Sequence, residues 1–190
     1  MKKLFFMLCL SASTFSTMLF AQQTPINFIE QSVYNVQTGF LGVYVSNETR
    51  LGNKFALRTE IGLDAGFSIN TEGSEWGLIP MINLEPRYYY NIGKRAGKGR
   101  NISGNAANFV TISTRFNPDF MVFSTNDSET ASTLFFIPKW GIRRNIGKSN
   151  FNYEAGIGIG YYVMLGDNKK YFYDQEGVGV DLHLRIGYTF

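Results

Sequence analysis

Alternation of apolar and polar residues constrains this chain more than any other feature. From 54 to 69, Phe55, Leu57, Thr59, Ile61, Leu63, Ala65, Phe67 and Ile69 form one row; Lys54, Ala56, Arg58, Glu60, Gly62, Asp64, Gly66 and Ser68 form the other. A period of two places successive side chains on opposite faces of a strand, which a helix cannot do. The pattern recurs at 76–92, 133–146, 150–165 and 176–190, and less cleanly at 33–46 and 105–117, where it extends toward "DFMVFS" after Pro118. Polar segments such as "SNETRLGNK" and "NIGKSN" separate these stretches, with the Gly, Asn and Ser that sharp reversals use. The chain therefore reads as all-β, an antiparallel up-and-down meander in a single domain.

Such a meander closes as a soluble barrel or as a membrane-spanning one. The first buries its apolar row; the second turns that row to lipid and fills its interior with the polar row. Three features favour the second. The stretches are long, with 16 residues in each of 54–69 and 150–165, where about 5–6 is usual in globular proteins and roughly 9–11 tilted residues cross a bilayer. The apolar rows carry Trp76, Tyr88, Tyr90, Trp140, Tyr153, Tyr161, Tyr188 and Phe190, several near strand ends, where aromatic girdles meet the lipid–water boundary. The polar rows set Arg58, Arg87, Arg115, Lys139, Arg143 and Arg185 against Glu60, Asp64, Glu85, Glu154 and Asp181. Opposite charges of this kind can pair across a narrow lumen, where an unpaired charge is strongly unfavourable. Gly156, Gly158 and Gly160 share one row; inside a barrel they would leave room for facing Arg and Tyr side chains.

The first residues have the order of a secretory signal peptide. Lys2 and Lys3 precede an apolar stretch from Leu4 to Phe20, and Ala21-Gln22 offers a cleavage point. The expected division is thus a signal peptide over 1–21 and one barrel domain over 22–190. Cleavage would remove Cys9, the only cysteine, and leave 16 basic residues against 15 acidic ones. A chain so nearly neutral has no clustered basic face for nucleic acid.

With these features the chain resembles the small bacterial outer-membrane β-barrel proteins, on its signal peptide, its dyad strands and the final "LHLRIGYTF". The resemblance implies an integral outer-membrane location, lipid as the surrounding partner, and recognition by the outer-membrane assembly machinery through Phe190, supported by Tyr188, Ile186, Leu184 and Leu182. It also implies an even strand number. Seven strands are readable, so eight are expected, the eighth lying in 22–32 or in a hairpin within 105–124 around Asn117-Pro118-Asp119.

The search for chemistry yields little. His183, the only histidine, alternates with Asp181 and Arg185 and could act as a base oriented by Asp181. Barrel-type lipid A deacylases carry a Ser two residues from their His; here Arg185 holds that place, and His183 reads as a luminal polar residue. The run 88–101 holds Lys94, Arg95, Lys98 and Arg100, which suit lipopolysaccharide phosphates or an acidic protein partner, and otherwise form a solvated turn. No cofactor or metal spacing is present. With about eight strands the interior admits only its own side chains. The expected role is structural or interactive without catalysis. A lipid-modifying enzyme and a narrow channel are the alternatives, and a soluble lipocalin-like carrier is more distant.

Overall fold

A computed structural model describes residues 29–40, 42–70, 73–125, 130–171 and 173–190. The expected signal peptide, Cys9 and residues 22–28 lie outside the described residues. Among the described residues, nine strands form one sheet: β1 (Ser32–Gly39), β2 (Gly42–Arg50), β3 (Phe55–Asn70), β4 (Gly73–Tyr88), β5 (Asn108–Asn117), β6 (Phe123–Ser124), β7 (Ser132–Asn145), β8 (Phe151–Leu165) and β9 (Glu176–Thr189). All neighbours are antiparallel. β1 pairs with β9 and β3 with β4, so eight strands close into a barrel, while β6 adds a short pairing to Gly77 and Leu78 of β4.

The eighth barrel strand comes from a place not expected. Residues 33–46 are not one strand: the chain reverses between Gly39 and Gly42, which face each other across the β1–β2 hairpin. Residues 29–31 form no strand, and after Asn117 the chain bends to β6 instead of making a hairpin. The reversal escapes the alternation pattern because it holds Phe40 and Leu41 in place of the usual Asn, Asp or Ser.

Partners followed around the wall run from Val36 through Val45, Ile61, Ile82, Phe116, Leu134 and Val163 to Glu176. Val36 itself pairs with Tyr188 on β9. The circuit thus returns far along β9, which means the strands are strongly tilted to the barrel axis. Seven of the residues on that circuit are apolar, and none of those seven is buried. The alternate row points inward. Pro86 and Pro138 stand on the outer row, where the register with the neighbouring strand is interrupted because proline has no N–H to donate.

The two ends differ. One carries the turns at 51–54 and 146–150 and the long connection 89–107, and Phe190 meets Tyr34 there through a backbone bond of 2.9 Å. Residues 89–107 are not simply the solvated turn that their basic run suggests. They contain a one-turn helix, α1 (Ile92–Ala96), and fold back into the barrel mouth. Ile29, Ala56, Tyr89, Ile92, Ala107 and Phe109 pack there as an apolar plug. At the other end, β2 stops opposite Asp64 and β1 opposite Arg185, while β3 and β9 continue past them. The wall is notched above the β1–β2 hairpin.

Candidate functional site

The inward rows converge on an ionic layer at mid-barrel. β8 supplies its hub, Glu154. Arg87 donates to it at 2.8 and 3.1 Å, Arg143 at 2.8 Å and Arg58 at 3.5 Å, and His183 Nε2 lies 2.9 Å from Glu154 Oε1. Three guanidiniums from β3, β4 and β7 thus share one carboxylate. Each also bonds a second carboxylate: Arg58 bonds Glu60, Arg87 bonds Glu85, and Arg143 bonds Glu48 at 3.2 Å. Lys139 Nζ reaches Glu85 at 2.6 Å, and Arg185 donates to Glu60 at 2.7 Å. Among the described residues, the fully buried carboxylates Glu48, Glu60, Glu85 and Glu154 are matched by Arg58, Arg87, Lys139 and Arg143.

Such a layer needs close geometry, since burial of either sign alone is strongly unfavourable and attraction offsets it only through short, hydrogen-bonded contacts. The pairs Arg58–Glu60 and Arg87–Glu85 are two residues apart on one strand, a spacing that period two turns to the same face. Neutral side chains complete the shell. Arg58 donates to Gln37 at 2.6 Å, Tyr89 to Glu48 at 2.8 Å, and Arg143 to the carbonyl of Gly104 in the plug at 2.9 Å. Arg87 also stacks over Phe109, 4.1 Å from its ring centre.

Three predicted members, Asp64, Arg115 and Asp181, stand nearer the notch. Asp64 accepts from Tyr44 at 2.8 Å and from Arg115 at 3.3 Å, and Arg115 covers the Phe135 ring. Asp181 lies 3.9 Å from Lys139. Together with His183 and Arg185, they line a cavity of about 550 Å³. His183 faces Glu154 in the layer and is not placed by Asp181. Leu182, Leu184, Ile186, Tyr188 and Phe190 all lie on the outer surface.

Sequence reasoning missed Glu48, Gln37, Tyr44 and Asn105, whose buried amide donates to Glu48. In β1 the odd positions 33, 35 and 37 face inward, and in β2 the even positions 44, 46 and 48 do. Reading 33–46 as one strand hides that change of parity and leaves Glu48 in a supposed turn. The luminal glycines also differ in purpose from the expectation. A side chain on Gly158 would meet Ile137 at 2.9 Å and Lys139 at 3.1 Å, and one on Gly141 would meet the Phe109 ring at 2.5 Å. Among the described residues no group of three His, Cys, Asp or Glu side chains could hold a metal ion.

Compared with known proteins, the chain matches no family model, no curated protein and no solved structure.

Proposed function

We propose that this chain is an integral β-barrel of the bacterial outer membrane, with a filled, charged lumen and a structural or interaction role without catalysis. The observation that carries the reading is inverted burial. Arg58, Arg87 and Arg143 are the largest fully buried side chains, while Ile61, Ile82, Ile112, Ile157, Val180 and Leu182 are each more than half exposed. An apolar wall of that extent is unfavourable against water and is satisfied by hydrocarbon. Around the closed ring the backbone groups pair between strands, as a lipid surround requires. Tyr34, Phe55, Trp140, Phe151 and Tyr188 stand toward the plugged end and Trp76, Phe123 and Tyr161 toward the notched end, an arrangement that suits two interfacial belts.

The layer centred on Glu154 crosses the lumen, which favours a barrel held shut over a narrow channel. His183, held against Glu154 inside that layer, favours packing over catalysis at the lipid face. In a bacterium with two membranes, the protein should sediment with the outer membrane and run faster on gels unheated than boiled. Recovery in the soluble fraction with no heat shift would overturn the reading.

A further inference from the structure

Beside the plug lies a separate cavity of about 470 Å³ whose lining includes Lys94, Arg95, Lys98, Arg100 and Arg144 and no carboxylate. This differs from the lumen, where each sign is matched. Local structure builds the cluster. Ile92 is buried in the plug, and Lys94 and Lys98 stand exposed on the same short segment. Gly99 adopts φ +63°, the left-handed region open to glycine, and the reversal brings Arg100 N to 3.1 Å from the Arg95 carbonyl.

Two of the guanidiniums are already fixed. Arg95 donates through Nε to the Ala106 carbonyl at 2.8 Å and through Nη2 to the Asn101 carbonyl at 3.0 Å. Arg144 donates to the Arg143 carbonyl at 2.6 Å and to Asn108 Oδ1. These contacts use part of each fork's five donors. Burial, then the neighbouring charges of Arg144 and Arg100, lowers the hold of Arg95 on its proton, as expected where cations crowd without a counter-ion. The cavity rim joins the outer wall at Tyr90, whose hydroxyl accepts from Asn108 Nδ2 and from Trp140 Nε1, both at 2.9 Å.

We propose that this cavity binds the phosphate of an anionic lipid head group at the level of the aromatic belt. Fixed guanidinium forks match the several oxygens of phosphate, and adjacency to Trp140 and Tyr90 places the site where head groups meet hydrocarbon. The lipid assignment rests on the membrane reading above.

The test uses the folded protein in zwitterionic micelles, titrated separately with short-chain phosphatidylglycerol, short-chain phosphatidylcholine and inorganic phosphate. Phosphatidylglycerol should bind saturably and more weakly as salt rises. The triple variant Lys94→Gln/Lys98→Gln/Arg100→Gln, which alters exposed positions only, should weaken it about tenfold or more, a loss of charge-assisted contacts. Phosphatidylcholine should bind less and ignore the variant. Equal binding of the two lipids, or an unchanged triple variant that retains its heat-shifted mobility, would overturn the site. Inorganic phosphate binding as tightly as phosphatidylglycerol would overturn the lipid assignment and leave a free-phosphate site. Because these soluble probes do not depend on a bilayer, failure of the membrane reading shows separately, in fractionation.

Discussion

Beneath residues 89–107 the barrel mouth is packed dry, with Tyr89, Ile92, Ala107 and Phe109 at 0% exposure. At the opposite mouth, Asp64 and Arg115 keep 19% and 22% of their side chains exposed beside an open cavity. Both ends use the same materials, inward-facing charges with aromatic neighbours, yet one is sealed and the other is not. The ionic layer between them is itself buried, but it abuts packed apolar side chains on one side and an open cavity on the other. Coulomb attraction strengthens as water is excluded, so an ion pair near the plug should contribute differently from one near the notch.

The sharpest way to break this comparison is at the hub. Glu154→Leu leaves Arg58, Arg87 and Arg143 without their shared carboxylate and should destabilise the barrel by about 3–5 kcal/mol, read as a lower urea midpoint in the loss of the heat-shifted band. An unchanged midpoint would mean that water already penetrates the layer. A smaller effect should follow at the plug: Gly141→Ala forces a methyl against the Phe109 ring and should cost about 1–3 kcal/mol. At the notch, Asp64→Asn loosens a half-screened pair and should cost no more than about 1 kcal/mol. The smallest change is its control. A methyl on Gly179 meets nothing within 4 Å, so Gly179→Ala should stay within about 0.5 kcal/mol of the parent. If Gly179→Ala proved as harmful as Gly141→Ala, the notched end would be as tightly packed as the plugged one.

Most of the wall was legible because lumen and exterior impose opposite demands on alternate residues, and β3, β4, β7, β8 and β9 obey them along most of their length. The ion-pair members Arg58, Glu60, Glu85, Arg87, Lys139, Arg143 and Glu154 were legible for the same reason. Two things were not. The β1–β2 reversal has apolar residues where turns are usually polar, so the parity change at Gly39–Gly42, and with it Glu48, went unseen. The plug was hidden because its buried members, Ile92, Asn105, Ala106 and Ala107, and the half-buried Ile102 packed against them, are scattered through a basic, glycine-rich run. A helix of five residues is too short to display a 3.6-residue period. The isolated isoleucines in that run were the available signal.

The seam where β1 meets β9 has a kinetic consequence. It comprises five register pairs, against 16 between β3 and β4, and it joins the two strands of the ring farthest apart in sequence. The other contacts of the ring form between strands close along the chain, whereas this one carries the largest loop-closure entropy and should form last. Few backbone bonds then hold it, but side chains cross it from within: Asn152 of β8 contacts Asn35 and Gln37 of β1 and donates to Thr189 of β9 at 2.9 Å, and Arg58 ties Gln37 to the ionic layer. The polar interior thus acts as a latch, engaging when the last strand arrives and holding shut a seam of only five register pairs.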